Sequence, residues 1–202
     1  ADGAVVQSAI HSCGLDGVRV EIERIQDTGL CGLRARVLTP AHGESQGHHG
    51  DNPPHLHRSW REIREMLSRA ALEPPVREMA HHVFERLAQA EGRVHGIAPD
   101  DVEFHEIGAV DSIADIVGAC AALHSLGVEA VEVGTFPIGR GQIRCAHGVY
   151  PLPAPAVVEL LKGWPVEMVE EDAETVTPTG AALLTEWASA SAAAGAMRVI
   201  RA

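Results

Sequence analysis

Apolar residues Val5, Val6, Ala9, Ile10 and Cys13 recur at helical spacing near the start of the chain, and Gly14 ends the run. The period then changes. Val18, Val20 and Ile22 alternate with Arg19, Glu21 and Glu23, and Leu33, Ala35 and Val37 alternate with Arg34 and Arg36. A period of two predicts two strands, and the turn residues at 27–32 predict an antiparallel pair with one solvated face. Ser59-Trp60-Arg61-Glu62 has the form of a capping box, and Ile63, Met66, Leu67 and Ala70 make one apolar stripe behind it. Pro74-Pro75 opens another helix, whose core face is Val76, Met79, Ala80, Val83, Phe84, Leu87 and Ala88, through Ala90.

Val102 and Phe104 then alternate with Glu103 and His105 as a short half-buried strand does, and Gly108 permits a tight turn. Asp111 or Ser112 can cap the following helix, which carries Ile113, Ile116, Val117, Cys120, Leu123 and Leu126. Gly127 ends that helix, and residues 128–133 read as a further strand. Strand, helix and strand in succession predict a right-handed crossover between parallel strands. The expected fold class is therefore α/β: a mixed sheet with a parallel β-α-β core on residues 101–133, an antiparallel pair on residues 17–38, and helices packed on it. Pro151, Pro153 and Pro155 precede a short helix at 156–162, an edge strand is expected at 166–169, and Pro178 suits the first turn of a last helix. The Ala/Ser run at 188–196 reads as a linker or a frayed end.

Composition changes this picture in three places. Residues 39–57 contain almost no apolar side chain and mix Gly43, Gly47, Gly50, Pro53 and Pro54 with His42, His48, His49, His55 and His57. Such a segment cannot bury enough surface to offset its ordering entropy, so a mobile His-rich loop over 39–58 is expected. Its five imidazoles form a compositional metal signal, and His55 and His57 share one side of an extended backbone. The alternative is a solvated linker that binds metal adventitiously; imidazole suits nickel, zinc and copper alike. Secondly, 16 basic residues against 28 acidic ones give a net charge of -12, which repels phosphate backbones and argues against a nucleic-acid partner. Together with twelve histidines it suits a protein that handles cations. Thirdly, Cys13, Cys31, Cys120 and Cys145 form no CxxC pair and read as reduced thiols of a cytoplasmic protein. With no apolar run of about 18 residues, no membrane span is expected. The chain starts at Ala1 without an initiator Met and reads as a fragment of something longer.

Candidate chemistry collects between residues 104 and 115. There an imidazole and three carboxylates, His105, Glu106, Asp111 and Asp115, cluster where a strand gives way to a helix. Asp111 and Asp115 lie one turn apart on one face, and ligands of open α/β sheets bind at this end of a strand, so the four can converge on one metal or substrate. A capping Asp111 and a solvated Glu106 are the structural alternative. Elsewhere Gly139, Gly141 and Gly148 with Arg140, Arg144 and His147 suit either backbone approach to an anionic ligand or a plain hairpin. Thr177 and Thr179 can hold an anion at a helix N-terminus, or merely cap it. His95-Gly96 fits a helix end, and His81 and His82 fit a helix surface.

Taken in order, His55-Leu56-His57-Arg58-Ser59, Ala90-Glu91 with His95-Gly96, Phe104-His105-Glu106-Ile107-Gly108-Ala109-Val110-Asp111-Ser112-Ile113-Ala114-Asp115, His147-Gly148 with the prolines at 151–155, and Thr177-Pro178-Thr179-Gly180-Ala181-Ala182 resemble the nickel-insertion proteins of nickel-pincer cofactor biosynthesis. The resemblance spans most of the chain. It implies a nickel chelatase, a lyase of the cyclometallase kind, that places nickel in pyridinium-3,5-bisthiocarboxylic acid mononucleotide with consumption of CTP, completing the cofactor of lactate racemase. Nickel, that mononucleotide and lactate racemase are the implied partners, in a homo-oligomer. The motif members here are His55, His57, His95, His105, Glu106, Asp111, Asp115, His147, Thr177 and Thr179. We take His105, Glu106, Asp111 and Asp115 as candidate catalytic residues, His147, Thr177 and Thr179 as candidate substrate or cofactor contacts, and His42, His48, His49, His55, His57 and His105 as candidate metal ligands. Two departures from the family pattern stand out: a Gly- and Asp-containing opening segment and a later cytidine-nucleotide domain, with its divalent metal, are missing. Residues 1–187 thus read as the amino-terminal domain and 188–202 as a linker toward the absent one, with the fragment inactive alone. Two competing readings are a nickel or zinc storage module without turnover and a metal-dependent hydrolase of small phosphate esters, the latter resting on residue type alone.

Overall fold

The computed structural model describes residues 2–27, 29–39, 58–104, 110–145 and 148–191. Two compact units emerge, one from residues 1–82 with 100–127 and the other from 83–99 with 128–202.

In the first unit, α1 (Gly3–Ser12) starts where Asp2 Oδ1 accepts the Ala4 N–H at 3.0 Å, and the chain turns after it at Gly14, whose φ of 70° favours glycine. β1 (Arg19–Asp27) and β2 (Leu30–Leu38) form the expected antiparallel pair, from Arg19 opposite Leu38 to Asp27 opposite Leu30. β3 (Arg58–Ser59) leads into α2 (Trp60–Arg69) through the capping box read from the sequence. Ser59 Oγ accepts the Glu62 N–H at 3.3 Å, and the Glu62 carboxylate accepts the Ser59 N–H at 2.7 Å. After α3 (Pro74–His95), a 3-10 turn and β4 (Glu103–Phe104) bring the chain to α4 (Val110–Ser125). α1 packs closely on α4 because Gly118 has no side chain there; a Cβ would meet Val6 Cγ1 at 3.0 Å. Ile10, Val18, Trp60, Ile63, Leu67, Phe104, Ile113, Ile116 and Val117 are fully buried in this unit.

The second unit holds the last turns of α3, two parallel pairs and two helices. β5 (Val131–Val133) pairs with β10 (Ala188–Ser191), and β6 (Phe136–Ile138) pairs with β9 (Val166–Met168). β7 (Gln142–Cys145) and β8 (Gly148–Pro151) form an antiparallel hairpin. α5 (Pro155–Leu160) contacts α6 (Pro178–Trp187), and Arg86 of α3 holds the Glu186 carboxylate of α6 through Nε at 2.9 Å and Nη2 at 2.8 Å.

Helices with parallel and antiparallel strand pairs make the fold mixed α/β, as the sequence predicts. Its strand pairing differs from expectation. Among the described residues β4 pairs antiparallel with β3, and β5 pairs parallel with β10, so the strands flanking α4 lie in separate sheets. With two and three residues respectively, neither is long enough for its own pattern to choose a partner. Ala188–Ser191, read as the start of a linker, supplies a strand instead. The first hairpin departs too: both faces of its distal half are solvated, with Leu30 76% and Leu33 73% exposed. The His-rich segment at 40–57 lies outside the described residues. No described helix is long and apolar enough to cross a membrane.

Candidate functional site

α4 forms because Ile113, Ile116, Val117 and Cys120 make one continuous apolar stripe, and burying that stripe leaves Asp111 and Asp115 on the opposite, exposed face. Asp111 lies in the first helical turn rather than at the cap, and its Oδ1 accepts the neighbouring Ser112 N–H at 2.8 Å. A carboxylate there is favoured by the helix dipole. Asp115 sits one turn further on. Partial loss of hydration, and secondarily the Asp111 carboxylate beside it, raise its pKa above the ordinary carboxylate value. The structure thus joins two of the four candidate catalytic residues as a carboxylate pair on one exposed face of α4, in which Asp115 holds its proton more firmly than an ordinary carboxyl does. His105 and Glu106, immediately upstream, lie outside the described residues, as do His42, His48, His49, His55, His57 and His147. No three described His, Cys, Asp or Glu residues converge as a metal-binding group.

Thr177 is the N-cap of α6, and its Oγ1 accepts the Gly180 N–H at 3.1 Å, so its hydroxyl fills the capping role that the sequence offered as the alternative to holding an anion. Thr179 lies in the first turn behind Pro178. These threonines belong to the second unit, Asp111 and Asp115 to the first.

The glycine-arginine segment resolves into a hairpin with a structural reason for its first glycine. A Cβ on Gly139 would collide with the Ala173 carbonyl oxygen, and the Gly139 N–H donates to Thr175 Oγ1 at 2.8 Å. Backbone approach there is to the 171–175 loop. Arg140 is engaged likewise, its N–H donating to the Glu171 carbonyl at 2.7 Å and its guanidinium pairing with Glu170. His95 ends α3 with Nε2 3.4 Å from the Glu91 carboxylate, ahead of Gly96 at a φ of 68°. His82 is exposed, whereas His81 is half-buried with its ring edge-on to Trp60, centroids 5.1 Å apart.

A cavity of about 490 Å³ between α1, the start of α3 and the end of α4 is floored by Val5, Leu72, Val76 and Ala121. Glu73 Oε2 and His124 Nε2 pair at its rim, 3.0 Å apart. The sequence held no signal for it, because its walls come from three separated segments of small and apolar residues that each read as core.

The family model described as nickel insertion protein matches residues 1–202. A pyridinium-3,5-bisthiocarboxylic acid mononucleotide nickel insertion protein of Nocardioides sp. is 42% identical over 196 residues, covering 97% of this chain and 47% of that protein. Proteins named for nickel insertion in Thermomicrobium roseum and Syntrophotalea carbinolica are 45% and 47% identical, covering 86% and 66% of this chain and 40% and 34% of their own lengths. The chain therefore spans less than half the length of these curated relatives. No solved structure matches it. A match of the family model over every residue, with identities above 40% to relatives that share the name, places this chain in the nickel insertion protein family.

Proposed function

We propose that this chain forms part of an enzyme that inserts nickel into pyridinium-3,5-bisthiocarboxylic acid mononucleotide. The observation that carries the reading is the family match over the full chain, which includes the Asp111–Asp115 pair and the His105-Glu106 step before it. Insertion replaces a ring C–H by a nickel–carbon bond flanked by two sulfurs, so it needs a nickel ion freed of water, an oriented pyridinium ring and a base for the departing proton. Asp115 is suited to the proton, because its raised pKa favours the protonated form. Asp111, exposed at a helix start, is suited to orienting or ligating nickel together with His105 or Glu106. Nickel is here a substrate, drawn from the histidines at 42–57. Dependence on CTP with a divalent metal, delivery of the product to lactate racemase, a cytoplasmic location and a homo-oligomeric state belong to the same proposal and come from the family resemblance.

The test uses the full-length protein and activation of apo lactate racemase as readout. His105→Ala and Asp111→Asn should each lower cofactor formation by on the order of 10²-fold while leaving the melting temperature close to wild type. Full activity in both variants would reduce the segment to a structural turn. Nickel binding without turnover in the unmodified protein would favour the storage reading.

A further inference from the structure

Among the described residues β1 and β2 pair only with each other, so the hairpin presents two outer edges, and these are not equivalent. The Val20 N–H donates to Gln7 Oε1 at 2.6 Å, and Gln7 Nε2 donates to the Val18 carbonyl at 2.8 Å, so α1 occupies the base of the β1 edge. This also fixes the phase of the ladder. Since backbone groups alternate between inward and outward along an antiparallel pair, an outward Val20 makes its partner Val37 outward, and with it Ala35, Leu33 and Cys31. No described group bonds to that edge of β2. The same residues share a side-chain face with Val20 and Ile22. Near the base Ile22 packs on Gly3 of α1, whereas further out Cys31 and Ala35 are exposed and Leu33 is 73% exposed.

A nine-residue edge strand with exposed apolar side chains is a template for another strand, and its charges determine which. The chain as a whole carries -12, but residues 19–38 hold four arginines against three acids, so the hairpin is a place where two copies can meet without that repulsion. On its charged face Glu23 already bridges Arg36 at 3.3 Å and Arg34 at 3.7 Å. We propose that β2 pairs antiparallel with β2 of a second copy of this chain, about a twofold axis at Leu33. In that register Cys31 faces Ala35, Arg34 faces Gly32 and Arg36 faces Leu30 of the second copy, and no like charges stand opposite. An axis at Ala35 would set Arg34 against Arg36 twice, and one at Cys31 would leave only a short overlap. Pairing through β1 would displace Gln7 and bring Glu21 and Glu23 toward their own copies. The contact is isologous, so it closes as a dimer, and it stands independently of the nickel reading.

Sedimentation equilibrium and cross-linking test it. The chain should sediment as a dimer, and Leu33→Lys, at a solvated position, should convert it to monomer with an unchanged circular dichroism spectrum. Facing residues at hydrogen-bonded positions of an antiparallel pair have Cα atoms about 5.5 Å apart, within disulfide range. Oxidised glutathione should therefore join the Ala35→Cys thiol to Cys31 of the other copy, giving a covalent dimer that disappears when Cys31→Ser is added. A monomer under all conditions overturns the proposal, as does a dimer that survives Leu33→Lys and yields no Cys31-dependent cross-link.

Discussion

Asp115 and Glu62 show how two carboxyls of one chain come to respond oppositely to acid. Glu62 accepts hydrogen bonds from the Ser59 backbone and hydroxyl, which lower its pKa, so its contribution is present above its unfolded value and is lost as pH falls through its folded one. For Asp115 the sign reverses. Reduced hydration and the neighbouring Asp111 raise its pKa, so the folded chain holds that proton more tightly than the unfolded chain does. Its favourable contribution is complete below the unfolded value and is lost as pH rises through the folded value. Asp115→Asn should therefore raise the melting temperature at neutral pH, and the difference should vanish as pH is lowered through the carboxylate range. Thermal unfolding over a pH series reads this directly; a variant less stable than wild type at neutral pH would contradict it. The thiols separate in the same way. Burial pushes Cys13 up to about 11 and Cys120 up to about 12, whereas Cys31 is exposed on β2. Iodoacetamide should label Cys31 in the folded chain and reach Cys13 and Cys120 only after denaturation, as peptide mass spectrometry will show.

At the scale of elements, Gly139 offers the sharpest test, because the last residue of the short strand at Phe136–Ile138 is followed at once by a backbone pressed against the 171–175 loop. Gly139→Ala forces a methyl into the Ala173 carbonyl, and overpacking of this kind costs about 1–3 kcal/mol. Urea unfolding should show a lower midpoint with an unchanged slope; an unaltered midpoint would mean the loop yields freely. The helices were legible in the sequence since each carries a local code: the Ser59–Glu62 box, Pro74-Pro75, the stripe from Ile113 to Cys120. Strand partners were not. Glu103–Phe104 and Val131–Val133 are too short to specify a mate, and Ala188–Ser191 has no β-branched or aromatic residue to announce a strand. Of the site, the i,i+4 spacing of Asp111 and Asp115 was readable and their placement on an exposed face of α4 agrees with it. The Gly139-Arg140 pair left two readings open because close backbone approach looks the same in sequence whether a ligand or another loop arrives.

For the molecule as a whole, the proposed function raises the question of where nickel would bind before it reaches substrate. A net charge of -12 with twelve histidines raises local cation concentration generally, and the sequence offers two stretches as candidate metal sites. The first holds His42, His48, His49, His55 and His57, many donors of one type close together in sequence. The second joins His105 and Glu106 to the Asp111 carboxylate, fixed on a helix start. Asp111, already held on a helix, loses less freedom on binding than a free side chain does, so the second site should be tighter and single, the first weaker and multiple. Calorimetry should resolve both in protein purified without a metal-affinity step. Replacing the five histidines of the first stretch by alanine should remove the weak class and leave one equivalent, which His105→Ala then abolishes. Because imidazole binds metal only when neutral, both classes should weaken as pH falls through about 6.5. If the proposed function holds, the five-histidine variant of the full-length protein should still mature cofactor when nickel is abundant and fail only when it is scarce. Loss of all nickel binding in that variant would show that residues 105–115 hold no metal, and the carboxylates of α4 would then be left with the proton alone.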